Sequence, residues 1–224
     1  MTRPRSALIA TLIAVLIAML IPSASRAQFY GYPSFQVPLV SVREYNFAVG
    51  DGPDVGTSLL FQWREGISDR THMQLDAGLA DPATKGADAR FIIGGGLAHR
   101  LTTATDEFPL AMLLTVGLGG SFGGGSSLLR APVGLSVGHR FQLDEPFAVM
   151  PYAHPRISID YCSRCSVAGR SDTNLGVDVD LGVEVQVSQS IALRVSALLA
   201  GSDFSNRDNG FGFSLAWIPA QLRK

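Results

Sequence analysis

Lysine is almost absent from this chain. Of its 18 basic residues only Lys85 and Lys224 are lysines, and the rest are arginines. A soluble sheet protects its edges with lysine, so an open soluble sheet is a poor fit. Cysteine is nearly missing too. Two residues, Cys162 and Cys165, exclude a scaffold held by several disulfides. The formal net charge of -1 excludes the basic footprint of a nucleic-acid-binding surface. Beyond the N-terminus no long stretch repeats apolar residues at helical spacing, so helical architectures are excluded as well.

What is present begins with an address. Arg3 and Arg5 precede an uncharged apolar run from Ala7 to Ile21, then Pro22 and "SASRAQ". The run is shorter than the roughly 20 residues a spanning helix needs. Ser25 and Ala27 are small residues at the positions a signal peptidase inspects, so residues 1–27 read as a signal peptide cut between Ala27 and Gln28. Loss of Arg3, Arg5 and Arg26 takes the formal charge from -1 to -4. Residues 28–40, "QFYGYPSFQVPLV", read as a periplasmic lead-in of undefined structure.

The remainder alternates with period two, the signature of β-strands. In "NLGVDVDLGVEVQV" every odd position from Leu175 to Val187 is Leu or Val, whereas the even positions are Gly176, Asp178, Asp180, Gly182, Glu184 and Gln186. Similar runs cover 41–49, 57–64, 71–80, 88–98, 110–119, 129–137, 147–161, 191–199 and 211–217, which makes ten strands, with eight longer ones as the alternative. Short connections such as "QLDEP" and "VSQS" alternate with longer Gly-, Asp- and Ser-rich ones, "GSFGGGSS" included. That alternation suits an antiparallel up-and-down barrel with short turns at one rim and long loops at the other. The barrel is expected over 41–218, followed by a tail at 219–224.

The polar face is small and mixed in sign. Gly94, Gly96, Gly117, Gly119, Gly134, Gly182, Gly212 and Ser214 fall on it. So do Arg64, Arg90, Arg130, Arg140, Arg156 and Arg194, with Glu44, Asp76, Asp88, Asp160, Asp178, Asp180 and Glu184. Small residues suit a narrow barrel interior, and arginine forks suit carboxylate pairing away from water. A three-residue turn opposing Val187 to Ile191 sets Glu184 opposite Arg194. The other face is nearly free of charge, and a Lys or Arg there would cost about 2–4 kcal/mol at mid-bilayer. Trp63, Phe147 and Trp217 near the short turns, with Tyr161 and Phe211 near the long loops, resemble the two aromatic girdles of a membrane span. The expectation is all-β, with charges in a lumen and valines in lipid. Pro132, Pro151 and Pro155 each remove a ladder donor inside a strand.

"WREGISDRTHMQLDAGLA" resembles the strand, tight turn and strand unit of small bacterial outer-membrane β-barrels. "NGFGFSLAWIP" is similar to their C-terminal assembly signal, although a tail from Ile218 to Lys224 extends past the aromatic. The resemblance implies a porin-like class in a Gram-negative outer membrane, with the bilayer and the assembly machinery as partners.

Candidate chemistry is sparse. Cys162 and Cys165 in "CSRC" are expected to form a disulfide in an exported chain. Metal binding at that pair would need further ligands, and no His lies within a few residues, so neither metal nor cofactor is expected. His72, His99, His139 and His154 are the residues that would point toward a hydrolase. His154 and Ser158 share a strand face, but four residues of strand separate them by about 13 Å, too far for a nucleophile and its base. The expected role is non-enzymatic, either structural or a narrow passage. The alternatives are a lipid-modifying hydrolase and a soluble periplasmic barrel holding an apolar ligand.

Overall fold

A computed structural model describes residues 33–52, 56–81, 88–163, 171–200 and 209–219. The signal sequence with its Ala27–Gln28 cut, and the tail beyond residue 219, lie outside the described residues. The strands are β1 (Arg43–Gly52), β2 (Gly56–Ser68), β3 (Thr71–Asp81), β4 (Arg90–Thr102), β5 (Ala111–Gly123) and β6 (Ser126–Gly138). They continue as β7 (Phe141–Asp144), β8 (Phe147–Ser163), β9 (Asp172–Gln186), β10 (Ile191–Ala200) and β11 (Gly210–Trp217).

Each long strand pairs antiparallel with its sequence neighbours. β6 pairs directly with β8, and β11 pairs with β1. The sheet therefore closes as a ten-stranded antiparallel barrel, as expected, and the eight-stranded alternative is excluded. β7 is a four-residue exposed arm that pairs with β8 alone.

Period-two alternation sets the two faces. Leu59, Leu118, Leu175 and Ile159 on the outside are each more than 60% exposed. Arg64, Arg194, Glu44, Asp160 and Asp180 inside are buried almost completely. Closure leaves no free edge, so the backbone polar groups find partners between strands, as hydrocarbon surroundings demand. The soluble alternative required the apolar face to be the core, but that face is the outer surface.

The structure corrects four local expectations. Asp88 is exposed ahead of β4 and takes no place in the lumen. "GSFGGGSS" is no long loop. β5 and β6 run together to Gly123 opposite Ser126, leaving Gly124 and Gly125 as a two-residue turn. Both have positive φ, 56° and 72°, the requirement of a type I′ hairpin turn. The lumen is less polar than the small-residue pattern implied, because Leu60, Ile92, Leu113, Met150 and Leu198 are buried in it. Lastly, residues 33–40 do not stay below the barrel. Phe35, Gln36 and Val37 are buried inside it.

Two of the three prolines interrupt pairing, one on each side of β6. Pairing of β5 with β6 skips from Val116–Val133 to Gly119–Arg130 beside Pro132. Pairing of β6 with β8 skips from Gly134–Arg156 to Val137–Ala153 beside Pro155. β8 and β9 stay in unbroken register past Pro151 and Pro155.

Candidate functional site: a filled lumen

The barrel axis carries three ionic groups. Nearest the short turns, Glu44 accepts from Arg64 Nη1 at 2.6 Å and from Arg194 Nη1 and Nη2 at 2.6 and 2.9 Å. Arg194 also donates from Nε to Glu184 at 2.7 Å, and its Cα stands opposite that of Glu184 in the β9–β10 register. Two cations and two carboxylates thus neutralise one another. Removing one partner would strand a buried charge, which costs about 3–5 kcal/mol.

Nearer the long loops, Arg130 holds Asp160 through Nε and Nη2 at 2.8 and 2.7 Å, and Asp178 through Nη1 at 2.8 Å. Between these groups lie Asp180, Arg156 and His154. Arg156 Nη2 donates to Asp180 at 3.2 Å, while its Nε has no hydrogen-bond partner. Two other polar residues stand apart from the ionic groups. Asp76 accepts from the amides of Gln62 and Gln74 at 3.1 and 2.8 Å. Arg90 braces the β5–β6 turn, donating to Ser121 Oγ at 2.9 Å and to the Gly123 carbonyl at 2.7 Å.

Glycines supply the room for the large side chains. A Cβ at Gly182 would meet the Tyr152 ring at 2.4 Å, and one at Gly134 would meet His154 Nε2 at 2.6 Å. At Gly212 it would meet the Phe35 ring at 2.7 Å.

The N-terminal segment fills much of what remains. Ser34 Oγ donates to Asp180 at 2.5 Å and lies 2.8 Å from His154 Nδ1. The carbonyls of Ser34, Phe35 and Gln36 accept from Gln62, Arg64 and Ser136 at 3.3, 3.0 and 2.5 Å. The Phe35 ring packs with Ala48, Leu60, Ala80 and Ile92. Sequence reading missed Ser34, Phe35, Gln36 and Gln62. The only signal was the unusual density of aromatics, prolines and amides in 28–40. A cavity of about 90 Å³ remains, bordered by Gln62, Asp76, Thr115, His154 and Arg156 among others. It has room for a few waters.

His154 does not meet Ser158, whose hydroxyl has no hydrogen-bond partner. Its Nε2 lies 2.9 Å from Thr115 Oγ1, and its Nδ1 lies 3.4 Å from Asp180. Cys162 is disulfide-bonded; Cys165 lies outside the described residues. On the outer face Trp63, Tyr45 and Trp217 are register partners on β2, β1 and β11, and Tyr45 stacks on Trp217 at 5.5 Å. Phe147, Tyr161 and Phe211 also lie at strand ends, and Phe211 meets Phe213 edge-on at 4.8 Å. Tyr45 was missed because Val42 and Arg43 blur the alternation at the start of β1.

A closed antiparallel sheet with an apolar, aromatic-fringed exterior and a charged interior has the architecture of a transmembrane β-barrel, the small outer-membrane class that the sequence resembles. No protein-family model matches the chain, and no curated protein matches it in sequence. Among solved structures it is similar to a bacterial polysaccharide outer-membrane secretin (TM-score 0.46, 8% identity, 77% of this chain and 57% of that one). It is also similar to the β domain of the Bordetella autotransporter BrkA (0.43, 12%, 78% and 98%) and to the KdgM porin (0.39, 4%, 78% and 98%). The chain thus spans little more than half the length of the secretin.

Proposed function

We propose that this chain is a non-enzymatic, integral outer-membrane β-barrel protein with a structural role, closed to general diffusion in its resting form. The observation that carries this reading is the filled lumen. Three ionic groups, a set of buried aliphatic side chains and residues 34–37 occupy the space a water-filled pore would need. A ten-stranded barrel is narrow enough for side chains to fill most of its interior. Its partners in this reading are the outer-membrane bilayer and, through the strand ending at Trp217, the assembly machinery. Cell fractionation tests it, with the membrane fraction run on a gel unheated and boiled, followed by conductance in a planar bilayer. A heat-shifted band in the outer-membrane fraction with no large steady conductance is the expected result. Release by osmotic shock, or a wide open pore, would overturn the reading.

A second reading, a lipid-modifying hydrolase, draws on the order Thr115–His154–Asp180, in which hydroxyl and carboxylate occupy opposite ring nitrogens as in a nucleophile, base and acid series. The small cavity and the segment lying against His154 weigh against it.

A further inference from the structure

Residues 34–37 are gripped by the lumen in a way that their own conformational preference does not explain. Phe35 has φ of 51°, in the left-handed region that a bulky side chain rarely adopts. Such a conformation persists only where the surroundings over-determine it. Here they do so through two kinds of contact. The first kind reads main chain: the carbonyls of three consecutive residues accept from Gln62, Arg64 and Ser136, and the Ser34 amide donates to Asp180 at 3.3 Å. Those donors come from β2 and β6, on separate walls, and they would serve the backbone of any segment threaded the same way. The second kind reads side chains. Asp180 and His154 take the Ser34 hydroxyl, and the Phe35 ring fills a socket of Ala48, Leu60, Ala80 and Ile92 over Gly212. Main-chain hydrogen bonds for affinity with pockets for individual side chains are the general logic of peptide recognition.

We propose that the lumen is a peptide-binding site, filled in this structure by the chain's own residues 34–37. It accepts a short segment carrying a hydroxyl residue followed by an aromatic one. Such a segment supplied by another molecule, including a second copy of this chain, competes for the same place. The tether supports exchange. The segment continues into β1 through residues 38–42, so its effective concentration is high and its own affinity need only be modest. Entry is at the short-turn rim, where Ser41 hydrogen-bonds Glu44 at 3.1 Å and Gly66 donates to the Val42 carbonyl at 2.7 Å.

The test uses the full chain, folded in detergent, with a protease recognition sequence inserted between Val40 and Ser41. After cleavage, a labelled synthetic peptide of residues 28–40 is added, and retention of the heat-shifted band confirms that the barrel persists. The expected result is saturable exchange in the cleaved protein and none in the uncleaved one. A peptide carrying Phe35→Ala should bind about a hundredfold more weakly. An uncleaved protein carrying Phe35→Ala should gain binding of the wild-type peptide. Four outcomes would overturn the proposal. They are loss of the folded band on cleavage, release of the fragment without rebinding, retention without exchange over days, and equal binding of the Phe35→Ala peptide.

Discussion

Arg194 on β10 clasps Glu44 on β1 with both terminal nitrogens, at 2.6 and 2.9 Å, across 150 residues of sequence. The two strands are not neighbours, since β11 runs between them. Arg194 stands opposite Ser214 on that strand, whereas Glu44 lies one residue beyond the Tyr45–Trp217 pair, so the inner face between them carries only the small residues Ser214 and Ala216. A larger side chain there would stand in the path. Closure of the barrel and pairing of these charges are therefore one event.

Glu44→Gln is expected to be among the most damaging single changes, because it removes the shared acceptor of Arg64 and Arg194. About 3–5 kcal/mol of stability should be lost, read as a lower temperature at which the gel band shifts. A change below about 1 kcal/mol would mean that water reaches the cluster.

Glu184→Gln alone should destabilise more than Glu184→Gln combined with Arg194→Gln. The single change leaves the cluster with one excess positive charge, whereas the double change leaves the neutral pair Arg64–Glu44. A double-mutant cycle in denaturant measures the coupling. Purely additive losses would contradict the network.

Gly212→Ala places a Cβ 2.7 Å from the Phe35 ring and 2.9 Å from the Val49 carbonyl. The ring yields more easily than the wall, so the segment should loosen while the barrel still forms. Planar-bilayer recordings should then show conductance steps that the wild type lacks. Silent recordings from a folded variant would mean that the remaining side chains close the lumen unaided.

Val177→Lys and Thr173→Lys test the outer face by depth. Val177 is 47% exposed within the apolar belt, whereas Thr173 is on the same face at the loop end of β9. The first should cost about 2–4 kcal/mol toward mid-bilayer and the second close to nothing. Equal costs, measured as the fraction folded into vesicles, would contradict a lipid-facing belt.

Wild-type protein incubated with phospholipid or lipid A should show no turnover. Turnover that disappears in Thr115→Val, with folding intact, would establish the hydrolase reading instead.

Much of the architecture was legible in the sequence because a strand's two faces are a local property. Leu175 to Val187 alternates so strictly that either face assignment fixes every residue in it. Near absence of lysine, with arginines set among carboxylates, then decided which face is inside. The Arg194–Glu184 register was equally local, since only the short turn between Gln186 and Ile191 intervenes. Asp88 went wrong for the same reason in reverse. Alternation was extrapolated past the start of β4, where pairing no longer holds the chain. The glycine run at 123–125 suggested a loop by composition, while positive φ in a two-residue turn was its actual requirement.

The sequence by itself determined that this chain makes strands and that its charges belong inside, because period and composition act over a few residues. That ten strands rather than eight close was decided by the pairing of β6 with β8 and of β11 with β1. Tertiary structure alone decided what fills the lumen. Ser34 meets Asp180 across 146 residues, Ser136 meets the Gln36 carbonyl across 100, and Phe35 lies over Gly212. No local pattern encodes those contacts. They exist only once closure has brought the walls around the segment, and only there is the left-handed turn at Phe35 offset by burial of its ring.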